Sequence, residues 1–349
     1  MKIAIVTGTF PPGTCGVGDY TARLAEALGQ TGLDVRIIDV GDWRMRGALK
    51  TRNSLQNYDL VHIQYPTPGS GYSLGPHALS LLRSCVVTIH EASQRRILRK
   101  LSLLPFMVRP RHLIFTSDFE RRFVTGWVPW VARNSSIVPI PSNIRAFPQE
   151  RRRTTSEIAY FGLILPRKGL EQVVELTQLI KSEGLDLKVR IIGKPRPEHM
   201  GYFQELRSLT GELPVIWDLD LSEDLVAERL ASSSVAYLPF PDGASERRSS
   251  LKAALVNGVA VITTQGAHTP ESMKSVVRFS ENPRRALLIA RSLLASEQDR
   301  ADLAKNAAQY LRQCTWEHVA ELHLAVYRSL LCSERGPAPI EPKSAEEER

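Results

Sequence analysis

Short runs of apolar residues recur through the first half of the chain, and segments with helical periodicity separate them. Such runs are typical of strands that are buried on both faces in a parallel sheet. Within 20–32, Leu24, Ala27 and Leu28 fall on one helical face, and Gly32 lies just past the helix end. The pattern therefore predicts a doubly wound α/β domain. Its strands are expected at 2–7, 34–40, 59–65, 85–90, 112–117 and 136–141.

The alternation restarts after residues 145–156, a polar and basic segment that we interpret as a linker. It predicts a second doubly wound domain, so the predicted domains are 1–147 and 156–315. The tail 334–349 is rich in Pro and Glu and is predicted to be disordered. The second domain is expected to have strands at 157–164, 187–194, 213–219, 235–240 and 259–264, helices from Lys168 and at 222–234, and helical structure from about 282 to Leu331.

Length and composition agree with two globular domains, because the chain has 349 residues, of which 43% are hydrophobic and 23% charged. The four cysteines lack the spacing of zinc ligands, and we interpret them as reduced thiols of a cytoplasmic protein. The N-terminal apolar run is too short for a signal peptide, and no run is long enough to span a bilayer. The net charge of +8 indicates either an anionic partner or a merely solubilising excess of arginine.

Ligands of open α/β sheets bind outside the carboxyl ends of the strands, so the residues that follow the strands are the candidates for a site. After the first strand, Gly16 and Gly18 allow a ligand to approach the backbone, and a helix expected to begin near Asp19 directs its N–H groups at this loop. The alternative is an ordinary tight turn, since the loop matches neither a Walker A motif nor GxGxxG. His90 ends the fourth strand, where it is either structural or functional.

Positive charge lies at two predicted helix starts in the second half, where the helix dipole disfavours it. Lys168 follows the first strand of this half, and Arg247 and Arg248 follow a later one, with Ser245 or a neighbour as the expected helix cap. A bound phosphate or diphosphate would offset this charge, because helix N-termini and guanidinium groups both bind anions. Hydroxyl contacts would come from Ser249 and Ser250. The alternatives are a solvated lysine and a surface ion pair at the arginines.

Five segments resemble, in order, motifs of the GT-B glycosyltransferases, and within them the large retaining group called family 4. The resemblance covers nearly the whole chain. The family's N-terminal Gly-rich loop and first helix are similar to FPPGTCGVGDYTARLAEAL, and the strand that carries its histidine is similar to VVTIHE. The start of its C-terminal domain resembles FGLILPRKGLEQVVE, and its LLEAMA-x-G-x-PVIAT segment resembles RRSSLKAALVNGVAVITT. Its closing Trp-bearing helix resembles CTWEHVAELHLAVYRSLL.

The resemblance implies a GT-B fold, in which two Rossmann-like domains face a central cleft and a C-terminal helix, here about 316–331, crosses back to the N-terminal domain. The N-terminal domain is then the acceptor side, and the C-terminal domain binds the donor nucleotide. The implied reaction moves a sugar from a nucleotide-diphosphate donor with retention at the anomeric carbon, and it uses no metal or other cofactor.

Site residues carry over from the family position by position. Lys168 would neutralise the donor diphosphate, with Arg167 standing in for an arginine that the family usually places beside Gly162. His90 would lie by the transferred sugar as the catalytic residue. Gly16, Gly18 and Asp19 are expected in the loop near donor and acceptor. The expected diphosphate contacts of Arg247, Arg248, Ser249 and Ser250 rest on the charge at the helix start and not on the family.

The sequence departs from the family at two glutamates, whose positions hold Ser245 and Ala253. Ala253 cannot accept the hydrogen bonds that the second glutamate normally receives from the donor ribose, so the departure leaves the donor's identity open. The segment 218–220 reads DLD, like the metal-binding motif of another glycosyltransferase fold, but we interpret it as a loop with capping residues.

Three other functions stay open: a non-catalytic GT-B protein that binds a nucleotide sugar or supports a partner enzyme, a sugar-nucleotide epimerase, and a nucleic-acid binder. The last lacks a recognition motif, so no nucleic-acid partner is expected. The acceptor is a glycan, a lipid-linked glycan or a small molecule.

A basic amphipathic segment at 93–111, and Phe123, Trp127 and Trp130 nearby, suggest a location on a membrane surface. They predict weak peripheral contact with anionic lipid at the inner face of the membrane. The alternative is that the apolar face packs on the first domain's sheet and the arginines are solvated.

Overall fold

A computed structural model describes residues 1–10, 15–71, 73–82, 85–93, 103–108, 112–149 and 151–334 of the chain. Most of the basic amphipathic segment predicted at 93–111 lies outside the described residues, as does nearly all of the tail predicted at 334–349. The chain divides into two units, one formed by Met1–Val138 and the residues from Ala320 onward, the other by Pro139–Val319.

The first unit is built on a parallel sheet. Within its described residues the strand order is β2-β1-β3-β4-β5-β6. Its strands are β1 (Lys2–Thr7), β2 (Asp34–Asp39), β3 (Leu60–Tyr65), β4 (Val86–Ile89), β5 (His112–Phe115) and β6 (Ser135–Ile137), and its helices include α1 (Gly16–Gln30), α2 (Met45–Ser54), α3 (Gly75–Leu82), α4 (Leu104–Val108) and α5 (Asp118–Thr125).

A second parallel sheet forms the other unit, with the order β12-β11-β10-β7-β8-β9 in its described part. The strands are β7 (Thr154–Ile164), β8 (Lys188–Pro195), β9 (Val215–Leu219), β10 (Ser233–Leu238), β11 (Ala260–Thr263) and β12 (Arg278–Phe279). The helices are α6 (Leu170–Ser182), α7 (Met200–Leu209), α8 (Glu223–Ala231), α9 (Ser249–Val256), α10 (Pro283–Ala295), α11 (Glu297–Leu311) and α12 (Trp316–Glu334), the last of which belongs to the first unit from Ala320.

Burial explains why the apolar runs form central strands. Every residue of β10 and β11 is buried, and β1 is buried from Ile3 onward, as expected for strands covered by helices on both faces. β2 lies at a sheet edge and alternates exposed with half-buried residues over most of its length. The predicted doubly wound α/β architecture is confirmed. None of the helices in the described part of the chain is both long and apolar enough to cross a membrane.

The structure corrects several expected boundaries. Helix α1 begins at Gly16 rather than near Asp19, so Gly16, Gly18 and Asp19 form its first turn instead of the preceding loop. Gly18 packs closely in this turn, because a Cβ there would lie 2.6 Å from the carbonyl oxygen of Thr9. The expected linker 145–156 also ends early, since β7 already begins at Thr154, whose N–H donates to the carbonyl oxygen of Ser232.

Two expected helix-capping roles are wrong. Ser245 does not cap α9, because a turn in which the N–H of Arg248 donates to the carbonyl oxygen of Ser245 places Arg248 itself at the cap position. Asp218 is not a loop residue but part of β9, where its carboxylate accepts from Arg190 and Arg229 at 2.8 and 3.1 Å.

Each sheet has one point where successive connections turn in opposite directions. In the first sheet it lies between β1 and β3, and in the second between β7 and β10. Loops that leave the carboxyl ends of such a strand pair diverge to opposite faces of the sheet, and this leaves a crevice where ligands bind. The loops that follow these four strands are therefore the expected places for a ligand.

Candidate functional site

In the second unit, the loop after β7 packs directly on the loop after β10. A Cβ on Gly169 would lie 1.9 Å from the carbonyl oxygen of Pro239, and Gly169 has a φ of +81°, in the left-handed region that favours glycine. Only a residue without a side chain fits this contact. The start of α6 is thus held against the beginning of the loop that leads to α9.

The loop after β7 presents Arg167 and Lys168 immediately before α6. Arg167 is exposed and has a φ of +65°, which is uncommon for a residue with a side chain. The carbonyl oxygen of Lys168 accepts from the hydroxyl of Tyr160 at 3.3 Å, and the lysine itself is half-buried. The cap position of α6 is Gly169, which has no side chain to occupy the first N–H groups of the helix.

Across the crevice, Arg248 stacks on its own loop. Its guanidinium lies 4.7 Å from the ring centroid of Phe240 and forms an ion pair with Asp242, and its side chain is 19% exposed. Burial, followed by Glu171, raises the pKa of Tyr160, whereas the charge of Arg248 acts in the opposite direction. Tyr160 therefore interacts with the charge of Arg248 and donates a hydrogen bond to the backbone of Lys168, so both predicted cations lie near Tyr160.

Backbone contacts to the next loop of the sheet hold the Arg248 loop in place. A Cβ on Gly243, which has a φ of +85°, would lie 2.3 Å from the backbone nitrogen of Gly266. The N–H of Ala244 donates to the carbonyl oxygen of Thr264 at 2.9 Å, and the hydroxyl of Thr269 donates to the carbonyl oxygen of Ala244 at 2.6 Å. The loop is therefore preorganised.

The other predicted residues of this loop lie at the start of α9 or are buried near it. Arg247 is half-buried and precedes the cap, and Ser249 and Ser250 are the first two helical residues. Ser245 and Ala253, at the positions of the family's glutamates, are both buried, Ala253 almost completely. The structure thus brings Lys168, Arg248, Ser249 and Ser250 to one edge of the sheet, but supplies no carboxylate at 245 or 253.

In the first unit, the loop after β1 packs on the loop after β3 at the corresponding switch point. A Cβ on Gly69 would lie 1.4 Å from the carbonyl oxygen of Gly8, and the N–H of Gly69 donates to the hydroxyl of Thr9 at 2.7 Å. Gly16 has nothing within 4 Å of its would-be Cβ, in contrast to Gly18. Of the two glycines, Gly18 is thus required by packing.

His90 directly follows β4 and is buried. Its Nε2 lies 2.7 Å from Oε1 of Gln64, its backbone N–H donates to the carbonyl oxygen of Tyr65, and the ring of Tyr20 meets its ring edge-on at 5.0 Å between centroids. Burial, and secondarily His323, lowers the pKa of His90 to about 3. The imidazole is therefore neutral at neutral pH.

Buried polar side chains that sequence reasoning missed continue from His90 through the sheet. Gln64 and His62 project from β3, Thr88 from β4, and Tyr327 from α12, and each of these side chains is at most 1% exposed. A signal was present, since two polar residues at i and i+2 in an otherwise apolar strand share one face and need partners there. The sequence LVHIQY shows this pattern, but it was interpreted only as a buried strand.

Glu120 is a second residue that sequence reasoning missed. It lies in the first turn of α5 and is fully buried. Its carboxylate accepts from the N–H groups of Ala92 and Ser93 at 2.8 and 2.9 Å and from the hydroxyl of Ser93 at 2.7 Å. It thereby fixes the backbone that follows His90.

The DLD segment takes part in neither site. Asp218 is paired with Arg190, and Asp220 has a φ of +52° and lies 3.2 Å from Nζ of Lys194. Among the described residues, no group of three or more His, Cys, Asp or Glu side chains is arranged to hold a metal ion.

Solved structures that are similar over nearly the whole chain include glycosyltransferases. HepE from Anabaena, solved with UDP and glucose, has a TM-score of 0.70 at 12% identity, over 94% of this chain and 100% of that one. Sucrose-phosphate synthase from Thermosynechococcus elongatus has a TM-score of 0.70 at 15% identity, over 95% of this chain and 100% of the other. WaaG, a glycosyltransferase involved in lipopolysaccharide biosynthesis, has a TM-score of 0.63 at 14% identity, over 93% and 99%.

The protein has the GT-B fold. No protein-family model matches the chain, and no curated protein matches it in sequence. Within a GT-B protein, the loops after β7 and β10 are those of the C-terminal Rossmann-like unit, and His90 belongs to the N-terminal one.

The glycine contact between the two GT-B loops gives a first prediction. Gly169→Ala must introduce a side chain both at positive φ and against the Pro239 carbonyl, whereas Gly184→Ala, at a φ of +64° with nothing within 4 Å, meets only the first cost. We expect Gly184→Ala to lower the free energy of unfolding by about 1 kcal/mol, and Gly169→Ala by about 1–3 kcal/mol more. Urea unfolding measures both, and equal losses would show that the loop contact is not tight.

A second prediction concerns pH. Burial lowers the pKa of His62 and His90 in the folded protein, and the unfolded chain binds their protons below about pH 6.5. The stability they contribute is therefore complete above that pH and falls as the pH decreases towards about 3, the pKa of folded His90. His90 contributes a slope of about 1.4 kcal/mol per pH unit in that window. Urea unfolding between pH 7.5 and 4.5 should show a smaller slope for His90→Asn, and an unchanged slope would contradict the burial argument.

Proposed function

We propose that this protein is a glycosyltransferase that moves a sugar from a nucleotide-diphosphate donor to an acceptor, with retention at the anomeric carbon and without a metal. One observation carries the proposal: in a GT-B fold, Lys168 and Arg248 both follow strands at the switch point of the C-terminal unit, at the starts of α6 and α9, and Tyr160 interacts with both. Helix starts and fixed cations together suit a diphosphate.

The leaving diphosphate is the group that this site would stabilise. Negative charge grows on it as the bond to the sugar breaks, and cations that are already in place stabilise that charge without reorganising. Lys168 and the two arginines supply the charge, Arg167 adds a further cation in a strained conformation, and Ser249 and Ser250 supply hydroxyls. Strain of this kind at a loop residue is typical of functional sites.

His90 is the residue that we propose contacts the transferred sugar. It is neutral, buried and held by Gln64, and its loop is fixed by Glu120. Gly16, Gly18 and Asp19 belong to the first turn of α1, so we propose that donor or acceptor contacts the N-terminus of that helix.

The direct test is turnover. Purified protein is incubated with a panel of nucleotide sugars, beginning with UDP-sugars because HepE and an α-glucosyltransferase of the same fold were solved with UDP. Release of free nucleotide, faster with one donor than with the others and lost in His90→Ala, is the expected result. Binding of a nucleotide sugar without any release would favour the second candidate, a non-catalytic binding protein.

Ala253 is the observation that favours this second candidate. It is 1% exposed, and its position offers no carboxylate to the ribose of a donor. Such a protein would keep the diphosphate site but not the complete donor site. The panel separates the two candidates because it measures release as well as binding.

A prediction on nucleotide binding tests the cation site. Lys168→Ala, Arg247→Ala and Arg248→Ala should each weaken the binding of the donor nucleotide by about 1.5–3 kcal/mol, the range for hydrogen bonds to charged groups. Asp242→Asn should not weaken it, because Asp242 competes with the ligand for Arg248. Calorimetric titration measures the affinities.

The matched control for this series is Lys188→Ala. Lys188 is exposed and begins β8, at the amino end of the same sheet. Unchanged affinity in all three cation variants, or a loss in Asp242→Asn equal to that in Arg248→Ala, would remove the diphosphate assignment.

We also propose weak peripheral contact with anionic lipid at the inner face of the membrane. Trp130 and Trp127 of the first unit are 59% and 36% exposed, and Val108 is 76% exposed. Arg122 lies nearby in sequence and is 79% exposed. Exposed indole rings beside cations suit a headgroup boundary. WaaG, of the same fold, works in lipopolysaccharide biosynthesis, so an amphipathic acceptor would fit this location.

Vesicle sedimentation tests this contact. We expect binding to vesicles that contain anionic lipid at low salt, less binding at high salt because charge attraction is screened, and less binding for Trp130→Ser. Leu288→Ser, which removes a 51% exposed apolar side chain from α10, serves as the control. Absence of binding at low salt, or equal binding by Trp130→Ser and wild type, would contradict the membrane proposal and leave the transferase proposal untouched.

A further inference from the structure

A continuous chain of hydrogen bonds runs through the interior of the first unit and ends on His90. Oε1 of Gln64 lies 2.7 Å from Nε2 of His90, and Nε2 of Gln64 lies 3.3 Å from Nε2 of His62. His62 in turn has Thr88 Oγ1 at 2.7 Å from its Nε2 and the hydroxyl of Tyr327 at 2.6 Å from its Nδ1. Polar groups are expensive to bury, so this chain needs an explanation beyond packing.

The orientation of the Gln64 amide, with Oε1 toward His90 and Nε2 toward His62, sets where the protons of the chain are. An amide NH2 group only donates, so Nε2 of His62 accepts from Gln64, and the proton of neutral His62 is on Nδ1, where it donates to Tyr327. An amide oxygen only accepts, so Nε2 of His90 carries a proton. The hydroxyl of Thr88, at 2.7 Å, and the amide of Gln64, at 3.3 Å, then share the single lone pair on Nε2 of His62. Both histidines are neutral in this arrangement.

Among the described residues, Gln64 is the member of the chain that links His90 to His62, because its two amide atoms bond to the two rings. Reversing the amide would place its oxygen against Nε2 of His62, which fits only the tautomer of His62 that has its proton on Nε2. Each tautomer of His62 therefore matches one orientation of the amide, and the orientation with Oε1 toward His90 matches a proton on Nδ1 of His62. That orientation in turn selects one tautomer of His90.

We propose that Gln64 is a positioning residue that holds His90 as the Nε2–H tautomer, with Nδ1 as the hydrogen-bond acceptor, and that His62 and Tyr327 fix the orientation of its amide. The importance of this tautomer for catalysis rests on the proposed function, in which His90 contacts the sugar. Helix α12 thereby takes part in positioning His90, because Tyr327 lies on it.

Nitrogen NMR of the histidine rings tests the tautomer without any substitution. The chain has eight histidines, so protein labelled with [15N]histidine gives a tractable spectrum, and His90→Asn assigns the resonance. We expect wild-type His90 to show one protonated Nε2 and one unprotonated Nδ1 from pH 6 to 8. A proton on Nδ1 of His90, or an equal mixture of tautomers, would overturn the proposal.

Substitution of the relay gives a second readout. Gln64→Leu removes the acceptor and should convert His90 to a mixture of tautomers, whereas Gln64→Glu keeps an acceptor at the same place and should preserve the proton on Nε2. Tyr327→Phe, at the other end of the chain of hydrogen bonds, should weaken the preference of His90 for the Nε2–H tautomer. Gln56→Leu, at an exposed position after α2, is the control and should leave the His90 signals unchanged. Wild-type His90 signals in Gln64→Leu would overturn the relay.

Turnover separates this inference from the proposed function. With a donor that the wild type turns over, we expect Gln64→Leu to lower kcat by about tenfold with little change in KM for the donor, and Gln64→Glu to retain more activity. If His90→Asn keeps full activity, the proposed function of His90 fails while the NMR result still decides the tautomer. If His90 is required but Gln64→Leu keeps full kcat, the positioning role fails alone.

Discussion

The contact between residue 169 and the carbonyl oxygen of Pro239 constrains the whole C-terminal unit. Because a side chain at 169 would collide with that oxygen, the loops after β7 and β10 can approach only through a glycine. Their approach places Lys168 and Arg248 in one neighbourhood, where Tyr160 senses both. A similar glycine contact, between Gly243 and Gly266, joins the loops that follow β10 and β11. The positions of the cations are therefore set by backbone contacts rather than by the charges, which repel one another.

In the N-terminal unit, buried hydrogen bonds as well as a glycine contact fix the positions of the candidate site residues. Gly69 allows the loop after β3 to lie on Gly8. Gln64 of β3 bonds to His90 in the interior. Glu120 anchors the backbone after His90 through three hydrogen bonds. Hydrogen bonds in such a buried cluster hold each ring in one orientation, at the cost of a strict requirement that every donor finds its acceptor.

The sequence predicts those features of the fold that depend on local pattern. Buried runs such as 235–240 mark the strands, and charge at a helix start marks Lys168 and Arg248. Contacts between distant residues leave no local pattern: Gly169 and Pro239 are far apart in sequence, and so are His62 and Tyr327. Local rules also failed where packing overrides them. Glycine is a poor helix former, yet Gly16 and Gly18 begin α1, and the turn at Ser245 moved the cap of α9 to Arg248.

The candidate site residues of the two units differ in solvation and in charge. In the proposed function the fixed charge binds a diphosphate, and such charge is best kept partly hydrated, since full burial of an unpaired cation is costly. Lys168, Arg247 and Arg248 are half-buried, on loops. The proposed contact between His90 and a neutral sugar needs the opposite, a group whose protonation does not vary. Burial supplies this by lowering the pKa of His90 to about 3, well below neutral pH. A hydrated histidine titrates near neutral pH, so its hydrogen bonding would change with small shifts in pH, and the buried chain through Gln64 removes that dependence.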